Sequence, residues 1–214
     1  KCKQQEEMKV RDKLTKRRPE PTKSPKEGKW AKHKPDLRED FHSHCGYCGS
    51  YDGYRHTWYE VDHFIPKSFL EGKISDVEYS NLVYSCKFCN NKKLAKWPTK
   101  DISIPNSNNK GFVDPCDEDY DSHLYRTSDG GIMWRTDLGK WMWETAFKFD
   151  ERNYALKLLW EVNNIRKLVL AYAEAMAKID EESEEYKLLN EKAGPLSIKY
   201  VVIHNNLMNH YNSL

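Results

Sequence analysis

No stretch of these 214 residues approaches the roughly 18 consecutive apolar residues of a membrane-spanning helix, so none is expected within them. The opening residues carry no apolar leader, and cysteine is scarce at six residues, so a reducing, cytoplasmic setting is expected rather than a disulfide scaffold. There is no phosphate-loop motif and no dinucleotide fingerprint, so the chain is not expected to be an ATPase or a dehydrogenase in its own right. It has no internal repeat. Charge of one sign is also lacking, since the formal net charge is only +2. That average hides an asymmetry. Residues 1–40 hold 14 Lys/Arg against 8 Asp/Glu, and the remainder is net acidic.

What is present is concentrated between Cys45 and Lys93. Two Cys-x-x-Cys pairs, Cys45/Cys48 and Cys86/Cys89, offer four thiolates, the number a closed structural zinc site takes. A redox dithiol comes once, near a βαβ pattern, and disulfides need an oxidising compartment. Zinc is the expectation. The 37 residues between the pairs exceed ordinary zinc-ribbon spacing, so something folded must sit between the two knuckles.

That insert carries a second kind of chemistry. Trp58 to His63 reads as a short strand that stops before Ile65-Pro66, and Asn81 to Ser85 reads as a second strand. Cys89 to Lys96 reads as a helix opening, halted before Pro98. His63 is the one side chain in the cluster whose ordinary pKa lies near neutrality, so it is the natural general base for phosphodiester hydrolysis. Asp62 and Asn90 offer hard oxygens that suit Mg2+ (or Mn2+). Each residue also has a bland reading: a surface Asp-His pair, a turn Asn, a polar residue in a first helical turn. Glu60 reads as the outward residue of its strand.

Asp62-His63, then Asn81, then Asn90 after a Cys-x-x-Cys, with Lys93 three further on, resembles the HNH endonuclease motif on a ββα-metal fold. The resemblance covers about residues 41–96. At the motif's third position Asn90 stands where the literal lettering has His. The resemblance implies that Asn81 positions the loop and the base and that the products carry 5′-phosphate and 3′-hydroxyl ends; it favours DNA as the substrate and leaves RNA open. The layout of a zinc-bound module before a helical tail is similar to small HNH proteins of bacterial anti-phage systems, including Septu-type and retron-linked ones. That likeness implies an ATPase partner protein. The competing class is a zinc-stabilised nucleic-acid-binding or adaptor module without catalysis.

The expected fold is α+β: a ββα-metal module with a four-cysteine zinc site and a small antiparallel sheet, followed by a helical region. The expected divisions are a basic, flexible arm over 1–29, the module over 30–144 and helices over 145–214. Lys13, Lys16, Arg17 and Arg18 cluster in the arm, either to contact phosphates or simply as a solvated terminus. Order is expected from about residue 30, with a short helix over 35–42. Arg55, Lys67, Lys73, Lys92, Lys93 and Lys96 are candidates for a phosphate-binding groove, or ordinary surface cations. Residues 98–121 read as a polar loop whose acidic end, 117–121, is solvated. A hairpin is expected around Ser128 to Gly131. Helices are expected from about Ala146, over 181–192 and over 196–211, with Gly194-Pro195 as a stop and Ile198, Val201, Val202, Leu207 and Met208 inward. Cys2 and Cys116 are expected to be free thiols, and His204 and His210 have no evident metal partners.

Overall fold

The computed structural model describes residues 8–212. The chain divides into two compact units, Lys1–Asn153 and Tyr154–Leu214. The division comes later than 144/145 because residues up to Phe149 belong to the first unit's core. Phe112, Tyr120, Leu124, Ile132, Phe147 and Phe149 are all fully buried. Phe112 packs against Phe64, Trp97, Trp141 and Phe147, so an aromatic cluster ties the segment after the second knuckle to the zinc-bearing part.

A 3-10 turn, Trp30–His33, runs into helix α1 (Lys34–Asp40), with Pro35 in its first turn, where a missing N–H costs nothing. Strand β1 (Tyr59–His63) then pairs antiparallel with β2 (Leu82–Cys86), Tyr59 opposite Cys86 and His63 opposite Leu82. Strand alternation puts Glu60 and Asp62 on one face and Tyr59, Val61 and His63 on the other. Helix α2 (Lys87–Lys93) follows at once and sends side chains to the Glu60/Asp62 face. It starts two residues before the expected Cys89 and ends three before Lys96. Cys86 and Cys89 lie one turn apart, so the helix's first turn is itself the second knuckle. At the other end Leu94 takes φ +49°, and the chain doubles back to bury Trp97 in parallel stacking against Phe112.

The stretch expected as a polar loop is more ordered than that. Strands β3 (Asn106–Ser107) and β4 (Lys110–Gly111) form a short hairpin, and Phe112 and Val113 are buried directly after it. Helix α3 (Tyr120–His123) leads into β5 (Leu124–Arg126) and β6 (Ile132–Trp134), the hairpin signalled by Asp129-Gly130-Gly131. Helix α4 (Asp137–Trp141), capped by the Thr136 hydroxyl accepting from Gly139 N–H, passes into a π-helical turn, Met142–Ala146, and a 3-10 turn, Asp150–Arg152.

Residues 8–28 form a strap laid along the first unit, not a free arm; residues 1–7, Cys2 among them, lie outside the described residues. Met8 bridges to Arg126, and Val10 and Thr15 are buried. Arg11 pairs with Asp121 at 2.7 Å, so the end of the acidic stretch receives the strap, while Asp117, Glu118 and Asp119 face solvent as expected. Arg17 grips Asp114 with both Nη atoms, at 3.0 and 3.1 Å, and its Nε donates to Leu82 O at 2.6 Å. Arg18 pairs with Asp36, Glu39 and Asp40. Both arginines are therefore consumed internally, while Lys13 and Lys16 stay exposed. Arg17→Ala is expected to cost about 2 kcal/mol, the scale of losing hydrogen bonds to a charged group, read as a lower urea midpoint at unchanged slope.

The second unit holds α5 (Asn153–Met176) and α6 (Glu184–Asn212). Two helices stand where three were expected, because α6 runs through Gly194-Pro195. A proline removes one backbone donor, and a 29-residue helix keeps its ladder on both sides of that gap. The inward face of α6 differs in part: Leu207 is buried as expected, and Ile203 with it, whereas Ile198, Val201 and Val202 are more than half exposed. No helix among the described residues is long and apolar enough to cross a membrane.

Candidate active site

The four knuckle cysteines converge. Their Sγ atoms lie within 4.8 Å of one another, all are buried, and Cys48 and Cys86 Sγ are 3.9 Å apart. A regular tetrahedron with Zn–S bonds near 2.3 Å has edges of about 3.8 Å, so the quartet fits zinc. The first knuckle is turned by Cys45 N–H to Ser50 O and Gly49 N–H to Cys45 O. Gly49 has φ +67°, and a Cβ there would stand 2.5 Å from Val10 O. Four thiolates around a divalent ion leave a net negative charge. Arg152 answers it: its Nη1 lies 3.3 Å from Cys86 Sγ and 3.9 Å from Cys48 Sγ, and the Ser50 hydroxyl lies 3.1 Å from Cys48 Sγ. No local motif in the sequence marks Arg152, which is 63 residues past Cys89. Cys116 is a free thiol, and burial raises its pKa.

The second cluster sits where β1 ends. Asp62 is buried, and its Oδ2 accepts from the Tyr47 hydroxyl at 2.6 Å. Burial, and then the Asp62 charge, hold the Tyr47 phenol well above its usual pKa, so it stays a donor. Lys93, with a fully buried side chain, reaches Asp62 Oδ2 at 3.1 Å and donates to His63 O at 2.7 Å. Lys93 is thus an internal counter-ion and not a groove cation. Lys93→Met would leave the Asp62 charge buried and unpaired, at an expected cost of about 3–5 kcal/mol. The double variant Asp62→Asn/Lys93→Met is expected to recover most of that in urea titrations.

His63 Nε2 lies 2.8 Å from Asp76 O, and its ring meets the Trp30 indole edge to face at 5.1 Å. A carbonyl only accepts, so Nε2 carries the hydrogen and Nδ1 of the neutral ring holds the lone pair. Asn81 clamps the chain just past the histidine. Its Oδ1 accepts from Ile65 N–H at 2.8 Å, its Nδ2 donates to Ile65 O at 3.1 Å, and its own carbonyl accepts from Phe64 N–H. Asn90 Nδ2 donates to Glu60 Oε2 at 2.7 Å. Glu60 is therefore not a purely outward residue. Helix α2 covers its face, and it orients Asn90 so that Oδ1 is free to act as a ligand. Asp62, Glu60 and Asn90 place oxygens on one face of β1 and the helix over it, the donor type a hard divalent ion takes, with the Asp62 carboxylate itself engaged by Tyr47 and Lys93.

The other expected groove residues divide by their partners. Lys67 pairs with Asp76 at 3.1 Å and sits 4.2 Å over the Trp30 ring. Lys92 pairs with Glu151, and Lys96 donates to the Lys92 carbonyl. Lys73 and Arg55 are exposed.

Residues 45–96 match the family model described as HNH endonuclease. The matched span runs from the first zinc-knuckle cysteine past the end of α2, and it supports a nuclease-type function. No curated protein and no solved structure matches the chain.

Proposed function

We propose that the chain is a metal-dependent endonuclease that hydrolyses nucleic-acid phosphodiesters, DNA in preference to RNA. The observation that carries this reading is the β1–β2–α2 arrangement with Asp62, His63, Asn81 and Asn90 on it, inside the segment matched by the HNH family model. His63 takes a proton from the attacking water at Nδ1, and Asp76 O holds the tautomer through Nε2. Asn81 fixes the backbone at 64–65 and so the direction of the ring. Asp62 and Asn90 would hold magnesium or manganese, with Glu60 steering Asn90. Such an ion, when bound, supplies charge neutralisation at the phosphate and stabilises the departing 3′-oxygen. Zinc on Cys45, Cys48, Cys86 and Cys89 has a structural role only.

A second reading, a zinc-stabilised nucleic-acid-binding module without catalysis, is favoured by one observation. The Asp62 carboxylate is already engaged by Tyr47 and Lys93. Incubating the zinc-loaded full chain with supercoiled plasmid and magnesium or manganese separates the two. Nicks bearing 5′-phosphate ends are expected. Intact plasmid, with RNA equally intact, overturns the nuclease reading.

The layout of a nuclease-type module before a helical unit further supports a cytoplasmic role as the nuclease effector of a bacterial anti-phage system, working beside an ATPase. Co-purification from the native host tests that role: an ATPase in the isolated complex is expected, and a lone chain overturns it.

A further inference from the structure

Beyond the end of β1 that carries His63, the first unit has a second polar feature at the strand's other end. Trp58 immediately precedes β1 and is 76% exposed, an unusual setting for an indole. Its carbonyl accepts from Lys87 N–H at 2.8 Å, which holds the indole and the start of α2 at one rim. Trp58, Lys87, Arg55, Lys34 and Arg38 line a cavity of about 850 Å³. A second cavity, of about 460 Å³, shares Lys34 and Arg38 and adds Lys23 and Lys32. The two form one basic track, and the same 3-10 turn and helix α1 that supply it carry Trp30, which packs on His63.

The track keeps its positive charge. Its one carboxylate, Asp52, is occupied by Arg38, at 2.5 and 3.0 Å, and by the Tyr84 hydroxyl at 2.8 Å. His56 adds no charge, since burial, aided by Arg152, pushes its pKa down to about 3. Among the described residues, Lys23, Lys32, Lys34, Arg55 and Lys87 form no ion pair. Unpaired cations around an exposed indole match what an unpaired strand offers, namely spaced phosphates and a base with a free π-face. A base inside a duplex has no such face to give.

We propose that this track binds an unpaired nucleic-acid strand, one base stacked on Trp58 and neighbouring phosphates on Arg55, Lys87 and Lys34. The inference deepens the endonuclease reading and rests on it for the ligand class. At about 3.3 Å per residue, Trp58 lies roughly 16 Å along β1 from His63, so a strand held there can extend toward the candidate site.

The test is fluorescence anisotropy of a labelled single-stranded DNA 12-mer with the zinc-loaded full chain and no added magnesium. A covalently closed DNA duplex is measured in parallel. Trp58→Ala is expected to weaken the single strand roughly ten-fold and to leave the duplex nearly unchanged, with Trp58→Phe restoring most of the loss. Arg55→Glu/Lys87→Glu is expected to reduce the salt slope by about 1.4, two phosphates at roughly 0.7 each. Single-strand affinity unchanged in Trp58→Ala, or an equal fall for the duplex, overturns the proposal. A chain that binds through Trp58 but never cleaves sinks the nuclease reading alone. A chain that cleaves but binds identically without Trp58 sinks this proposal alone.

Discussion

His63→Ala is expected to slow metal-dependent plasmid nicking by about 10²- to 10⁴-fold, the range lost when a positioned general base is removed. Zinc content and thermal midpoint should barely move. The residue lies at a strand end, and its imidazole makes one hydrogen bond to a backbone carbonyl and meets Trp30 edge to face, while the bond from Lys93 goes to its main-chain carbonyl and survives the substitution. Deleting the imidazole leaves the Asp76 carbonyl short of one donor, a cost of about 1 kcal/mol where water can reach it. A rate loss of several orders beside so small a stability change separates chemistry from structure. Asn81→Ala provides the contrasting signature. It breaks both side-chain bonds to Ile65 and loosens the segment after His63, so it should lower the rate by less than His63→Ala. If both variants nick at the wild-type rate, His63 is not the base and another group activates the water.

The zinc quartet, both strands and the helix between Cys45 and Lys93 were legible because the chemistry demands residues at short, fixed spacings. Cys-x-x-Cys and Asp62-His63 are local patterns, and local patterns survive without coordinates. The arm was not legible for the opposite reason. Arg17 finds Asp114 and Arg11 finds Asp121 across about a hundred residues, and no composition rule distinguishes a buried partner from a solvated one. Lys93 was matched as a motif position, but its burial follows from Asp62 lying two residues from Glu60 on the face that α2 covers. Arg152 had no sequence signal, because it reaches the cysteines through the tertiary fold, 66 residues along the chain from Cys86. The continuous α6 shows where a punctuation rule fails. Gly194-Pro195 is a strong stop in a short segment and a tolerable defect in a long one.

Stripping zinc should have the largest effect on the fold. Chelation, or Cys86→Ser, is expected to abolish the cooperative unfolding transition of the first unit and its near-UV aromatic signal, while Cys116→Ser changes neither. Structural zinc contributes about 10–16 kcal/mol in small zinc domains, comparable with the whole stability of an ordinary domain. In this chain the quartet joins three pieces, the first knuckle, the end of β2 and the first turn of α2, which are otherwise linked by single hydrogen bonds such as Gly46 N–H to Tyr84 O and Lys87 N–H to Trp58 O. The neighbouring contacts also presuppose it. Without the ion, the charge that the sulfurs present to Arg152 is no longer fixed by metal coordination, and the contacts of its guanidinium with Cys48 and Cys86 weaken. Lys93, Asn90 and Glu60 then lose their alignment, because the start of α2 is what sets their reach to β1. Nicking should therefore vanish together with the zinc and return when zinc is restored, whereas magnesium alone should restore nothing. A chain that keeps its transition after verified zinc loss would show that the aromatic cluster around Phe112 suffices to hold the unit, and that the cysteines are not its fastening.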